Sequence, residues 1–332
     1  MFFLFPPKPA SRLVSLLLIL LLAGCSTSPK WPAADDSTAS LQTRTVLNDV
    51  PFYPQELYQC GPAALAMMLN SQGLNTNPDI LRDLVYIPGR EGSLQVEMVA
   101  GARSHNMLVY TLDGELESLL REVEAGNPVL VMQNLFYNWW PQWHFAVVMG
   151  FDPEKQTIIL HTGTRERHET SVEVFANTWA RSDNWAAVIL PPDQIPATAT
   201  ALQYLSAAND LETTGRTNAA MTAYRTAERR WQDQPAAILG QGNIAYTRQH
   251  VQQARKHFDR LVTKFPNEAV GWNNLAHTLG ELGCNEEATA AQQCAAALAP
   301  DRFESQVESA SDRVHPDRCS VPTCPALPQT KD

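Results

Sequence analysis

A cysteine, a histidine and a glutamine stand where nucleophilic chemistry would need them. Cys60 lies in Gln55-Glu56-Leu57-Tyr58-Gln59-Cys60-Gly61-Pro62-Ala63-Ala64-Leu65, where a polar segment gives way to an apolar run of helical spacing. A proline early in a helix loses no needed N–H. The positive end of the helix dipole favours a thiolate, the nucleophilic form of cysteine, so Cys60 is the expected nucleophile. His144 opens the apolar stretch Phe145-Ala146-Val147-Val148-Met149 and is expected at a strand end, as the base that takes the thiol proton. Gln55 can offer its side-chain amide to an oxyanion, with the Cys60 N–H as second donor; Gln59 is the rival donor. Each residue also has a plain reading, as a buried thiol, a strand-end histidine and a polar loop residue. The chemistry requires no cofactor and no metal.

The elements that must position these groups follow from periodicity. Ala63 to Leu69 reads as a helix ending near Gly73, with further helices over 78–86 and 94–104. Met107 to Leu112 reads as a strand, Glu115 to Glu124 as an amphipathic helix, and Val129 to Met132 as a buried strand. Strands follow at 145–149, 157–160 and 186–190. Helices first and a mostly antiparallel sheet after is an α+β order.

Taken together, Gln55, Cys60-Gly61-Pro62-Ala63 and Trp143-His144-Phe145-Ala146-Val147-Val148 resemble the papain-like peptidases of cysteine peptidase family 39, the bacteriocin-processing type, over roughly 50–190. The resemblance implies a papain-like domain and peptide-bond hydrolysis by Cys60 and His144. That family usually carries an aspartate followed by proline on the strand after the histidine. Asp152-Pro153 is misplaced for this role: at about 3.3 Å per residue, Asp152 stands roughly 26 Å from His144 along a straight strand. Asp152-Pro153-Glu154-Lys155 reads instead as a hairpin turn that returns residues 161–165 to His144. The family's aspartate then falls on His161-Thr162. His161 is the favoured orienting residue, with Thr162, Thr164 and Glu166 as alternatives. Phe136, Tyr137, Trp139, Trp140 and Trp143 crowd the preceding segment, either as core or as a lip for a peptide or a sugar.

A second unit repeats every 34 residues: Tyr204, Ile238 and Trp272 recur at that period, as do Ala208, Gly242 and Ala276, and Ala220, Ala254 and Ala288. The period and the small residues resemble tetratricopeptide repeats, implying an all-α solenoid of about three helix pairs. Gly215, Gln249 and Gly283 fall at the turns. Such a stack implies a protein partner held on a concave surface, with packing against the first domain as the alternative.

At the N-terminus, Lys8 and Arg12 precede the apolar run Leu13 to Leu22 and then Ala23-Gly24-Cys25, a signal pattern too short for a confident membrane span. The small residues before Cys25 resemble the lipobox of bacterial lipoproteins. That resemblance implies lipid on Cys25, a membrane anchor and a periplasmic, outer-membrane location. The expected organisation is a signal peptide over 1–24, a flexible tether over 25–48, the peptidase-like domain over 49–195, the repeats over 200–305 and an irregular tail over 306–332. Export permits disulfides, and Cys284, Cys294, Cys319 and Cys324 can pair in three ways; their spacings suit zinc poorly. A net charge of -10 without clustered Lys and Arg argues against nucleic acid as a partner.

The expected function is therefore a lipid-anchored cysteine peptidase acting on a peptide or protein substrate. A peptidoglycan amide hydrolase with a Cys, His, His arrangement, resembling the NlpC type, and a catalytically degenerate assembly lipoprotein are the alternatives.

Overall fold

The computed structural model describes residues 31–33, 38–54, 59–304 and 319–326. The expected signal peptide, Cys25 and Gln55 lie outside the described residues. At the centre of the first domain is α1 (Cys60–Ser71), in which every residue from Gly61 to Leu69 is buried. A helix that is apolar all round must be covered all round. One side of α1 meets a sheet; α2 (Pro78–Val85) and α3 (Gln95–Ser104) pack on it as well. Gly61 allows this closeness, since a Cβ there would lie 2.1 Å from Ser93 Oγ, just ahead of α3.

The sheet is antiparallel throughout. Its strands are β1 (Thr45–Val46), β2 (Leu108–Thr111), β3 (Val129–Asn134), β4 (Trp143–Asp152), β5 (Thr157–Thr162), β6 (Arg165–Ser171) and β7 (Ala186–Leu190). The order is β2-β7-β3-β4-β5-β6, with β1 joining β4 off that path. β4 is the hub: its start pairs with β3, its later half with β5, and Gly150 and Phe151 with β1. A Cβ on Gly150 would lie 2.7 Å from the Thr45 carbonyl oxygen, so glycine lets β1 approach.

Alternation divides β4 between two cores. Phe145, Val147 and Met149 meet α1–α3 on one face. Ala146 and Val148 meet α4 (Leu116–Glu124) and α5 (Val172–Ala180) on the other. The hairpin at Asp152-Pro153-Glu154-Lys155 forms: buried Asp152 accepts from Lys155 N at 3.2 Å and pairs with Arg44 Nε at 3.2 Å.

Two features depart from expectation. The tether over 25–48 is not free along its length. Leu41 is fully buried in the core, Trp31 packs on Phe151, and β1 extends the sheet. Apolar residues spaced too sparsely for a periodic signal still suffice to dock a segment on an existing core. β6 and α5 are also additional to the sequence reading; for β6 the reason is that Arg165-Glu166-Arg167-His168-Glu169-Thr170-Ser171 contains no apolar residue.

Among the described residues, the C-terminal half holds six helices: α6 (Ala201–Thr213), α7 (Thr217–Arg230), α8 (Pro235–Thr247), α9 (Val251–Lys264), α10 (Ala269–Glu281) and α11 (Asn285–Leu298). Each packs on the next in chain order. Gly215, Gln249 and Gly283, at the turns, all take left-handed backbone, with φ of 79°, 60° and 82°. The first pair belongs to the core of the sheet domain: Tyr204, Leu211 and Tyr224 share a cluster with Tyr110 and Leu120. Tyr110 Oη donates to Gln203 Oε1, and Tyr204 Oη donates to the Pro192 carbonyl at 2.9 Å. Fully buried Glu122 accepts from Thr198 N at 2.8 Å, fixing the connection. Among the described residues, no helix is long and apolar enough to cross a membrane.

The tail is fastened to α11 by disulfides Cys284–Cys319 and Cys294–Cys324, with Cα separations of 5.4 and 5.7 Å. Spacing permits this pairing once the tail runs in the same direction as the helix. Ten helical residues rise about 15 Å, and five extended residues span roughly 17 Å, so both bridges close when the tail runs along the helix.

The repeat geometry predicts two opposite effects. Gly240→Ala puts a Cβ 2.3 Å from the Tyr224 ring and is expected to cost about 1–3 kcal/mol. Gln249→Gly relieves left-handed strain and is expected to gain up to about 1 kcal/mol. Urea midpoints of the two variants, moving in opposite directions from wild type, check both.

Candidate active site

Cys60 is the first residue of α1, preceded by a helix cap that offers no side-chain hydrogen bond. It is the one free cysteine among the described residues. Its sulfur is approached by three backbone N–H groups, those of Phe145, Gly61 and Cys60 itself, each of which favours thiolate. Burial pushes the other way and wins, raising the thiol above its ordinary range. The expected helix-terminus activation is therefore outweighed: three N–H donors and the dipole do not repay the loss of water around the sulfur.

The Phe145 contact puts the start of β4 against the thiol, and His144 is the residue next to it. Its ring Nε2 lies 2.8 Å from Thr162 Oγ1. With Nε2–H donating to that hydroxyl, Nδ1 keeps a lone pair. No hydrogen bond joins the imidazole to the Cys60 sulfur among the described residues. Burial, with the Arg165 guanidinium adding to it, pushes the His144 pKa down to about 4. At neutral pH the two groups are a thiol and a neutral imidazole, not an ion pair.

The ring's partner is Thr162 rather than the favoured His161. Thr162 is diagonal to His144 across β4 and β5, on the face of Ala146 and Leu160. His161 pairs with Val147 and so leaves the sheet on the opposite face. There it is fully buried, Nε2 donates to the Val50 carbonyl at 3.2 Å, and Nδ1 accepts from Arg167 N at 3.1 Å. Those bonds fix its tautomer and tie β5 to the segment ahead of α1. Glu166 is exposed beside Arg167, and Thr164 sits in the turn between β5 and β6.

The aromatic residues before His144 are not core. Trp139 is 76% exposed and Trp140 66%, while Tyr137 stacks on Trp139 with ring centres 5.6 Å apart. Arg181 Nη1 donates to the Phe136 carbonyl at 2.9 Å and holds the base of this hairpin. Asn134 accepts from Phe136 N and Gln142 N at 3.1 and 2.9 Å, closing it. Thr162 stood among the alternatives for the histidine's partner, and the direction of alternation from Val147 was the signal that favours it; Arg165 as the nearby charge was missed by sequence reading.

A cavity of about 270 Å³ lies among the helices, lined by Asn243, Tyr246, Phe258, Asn274 and His277. Among the described residues, one group has metal-ligand spacing, Cys284, Glu287 and Cys319, but its two sulfurs are already joined as a disulfide.

Residues 47–187 match the Peptidase_C39 like family, a span confined to the sheet domain. Two solved structures are similar over part of the chain. A putative C39-like peptidase from Bacillus anthracis is 18% identical, with a TM-score of 0.38, covering 44% of this chain and 97% of that one. The peptidase domain of Streptococcus ComA, a bifunctional ABC transporter of a quorum-sensing pathway, is 19% identical, with a TM-score of 0.36, covering 43% and 98%. No curated protein matches the chain.

Burial of a neutral His144 ties stability to pH. Between the ordinary value of 6.5 and about 4, the unfolded chain takes up a proton that the folded ring refuses. Stability from this group is complete above that window and declines as pH falls through it, by on the order of 3 kcal/mol at most. His161 and His168, also held down by burial, add in the same direction. Thermal melts from pH 7 to 4 are expected to fall less steeply for His144→Gln than for wild type; equal slopes would contradict this.

Proposed function

We propose, taking residues 47–187 as a C39-like peptidase domain, that the chain hydrolyses peptide bonds with Cys60 as nucleophile and His144 as general base. The observation that carries this reading is the approach of the Phe145 N–H to the Cys60 sulfur, next in sequence to a histidine whose Nε2 is held by Thr162. The pair works from its neutral form. As the sulfur attacks the carbonyl, its proton passes to the imidazole, and the C–N bond breaks as that proton is delivered to the departing amine. Water, deprotonated by the same ring, then cleaves the thioester. The Cys60 N–H at the start of α1 serves the oxyanion, with Gln55 as second donor. The uncharged aromatic hairpin from Leu135 to Trp143 supplies an apolar lip for the peptide.

The wider setting is part of the same proposal. Cys25 carries lipid and holds the protein at the outer membrane, facing the periplasm. The 34-residue units are tetratricopeptide repeats that receive a protein substrate or partner. The first pair is committed to packing on the sheet domain, so recruitment falls to the second and third pairs.

A degenerate scaffold is favoured by one observation, the raised thiol beside a depressed histidine. The amide-hydrolase reading rested on a Cys, His, His arrangement, and His161 is engaged with Val50 instead. Wild type is expected to cleave an unstructured protein such as casein and to be labelled at Cys60 by a peptidyl chloromethyl ketone. Cys60→Ala is expected to lose activity by a factor of at least about 1,000, in line with removal of a covalent nucleophile. Equal cleavage by both proteins, or none by either with no labelling, selects the scaffold.

A further inference from the structure

Behind His144, on the face away from α1, strands β3, β5 and β6 and helix α5 enclose a cleft of about 110 Å³. Its polar lining is Gln133, Thr162, Arg165, His168, Thr170 and Thr178. These are hydroxyls, an amide, an imidazole and a guanidinium, with no carboxylate among them. The surrounding basic residues are engaged: Arg44 with Asp152, Lys155 with Glu169, Arg167 with Glu166, and Arg181 with the backbone carbonyls of Asn134 and Phe136. Arg165 has no ion pair among the described residues. Its charge bears on both neighbouring histidines, disfavouring the protonated form of His144 and of His168.

Thr162 joins the cleft to the candidate active site. Its Oγ1 is 2.8 Å from His144 Nε2, and the same residue forms part of the cleft wall. Around His144, Gln133 on β3 and Thr162 on β5 are neutral, Thr178 on α5 is neutral, and the Cys60 thiol is protonated. Arg165 on β6 is the fixed charge acting on the ring, with His168 in the same cleft. The imidazole thus lacks any anion to stabilise its charged form, while an unpaired cation stands close to it.

We propose that this cleft binds a carboxylate against Arg165, from a free acid or from the peptide in the site, and that the bound carboxylate makes His144 a stronger base. One guanidinium ringed by hydroxyls matches the single charge and the two acceptor oxygens of a carboxylate. The cavity volume admits a small group of that kind. Neutralising Arg165 removes the repulsion, and the added negative charge favours imidazolium. The binding half stands on the cleft alone, whereas the consequence for catalysis rests on the Cys60–His144 reading.

The test reads the His144 ring by its NMR titration rather than by turnover. In wild type, sodium acetate in place of sodium chloride at constant ionic strength is expected to raise the His144 pKa by about one unit. Arg165→Gln changes an exposed strand residue and should leave the fold intact. It is expected to raise the starting value and to abolish the acetate response. In Cys60→Ala, a peptide with a free carboxylate is compared with its amide. A response to the acid form only assigns the carboxylate to the substrate; a response to acetate with neither peptide assigns it to a free acid. An acetate response of equal size in Arg165→Gln, no response in wild type, or an equal response to acid and amide peptides overturns the proposal. Absence of hydrolysis with an intact acetate response would instead count against the peptidase reading alone.

Discussion

The burial of α1 on every side is the constraint on which the rest of the structure depends. Nine consecutive residues from Gly61 to Leu69 are removed from water, and each large aliphatic side chain among them is worth about 1.5–3 kcal/mol relative to exposure. The helix must therefore be enclosed, and the sheet, α2 and α3 exist in the arrangement that encloses it. Enclosure also brings Cys60 out of water and raises its pKa. Stability and nucleophile chemistry oppose each other at this point, because the contacts that bury the helix are those that disfavour a thiolate.

The same opposition holds at the histidine. His144 is dehydrated by the strands that position it, and its hydroxyl partner holds the ring without offering charge to an imidazolium. A thiol and a neutral imidazole store no electrostatic energy in the resting state. Charge then develops only when a carbonyl is attacked, and polar groups beyond the histidine become as relevant as the pair itself. The cleft around Arg165 is where such groups are found.

Much of this was legible in the sequence where side-chain pattern alone dictates structure. The all-apolar run after Cys60, the Asp152-Pro153 hairpin and the 34-residue spacing of Tyr204, Ile238 and Trp272 each map to an observed element. What was not legible needed tertiary information. β6 forms from seven polar residues because the exposed side of β5 offers a ladder, not because its own pattern asks for a strand. The choice between His161 and Thr162 turns on a single step of register. Irregularities at Val148/Gly150 and at Leu160/Thr162 interrupt the simple alternation there, and a one-residue step moves a side chain to the other face. Disulfide connectivity became readable only when α11 and the extended tail could be laid side by side.

The fastened tail has a consequence for assembly. A stack of helix pairs has two ends, each a surface shaped to receive another pair, and identical molecules can join end to end through such surfaces into open chains. Here the first pair is merged into the core beneath the sheet. At the other end, α11 is crossed by a segment held through two covalent bonds, with Val321 packed on the helices and Arg255 of α9 bonded to Ser320. Among the described residues, both ends carry contacts from the protein's own chain, which sets them apart from the lateral surface of the helices.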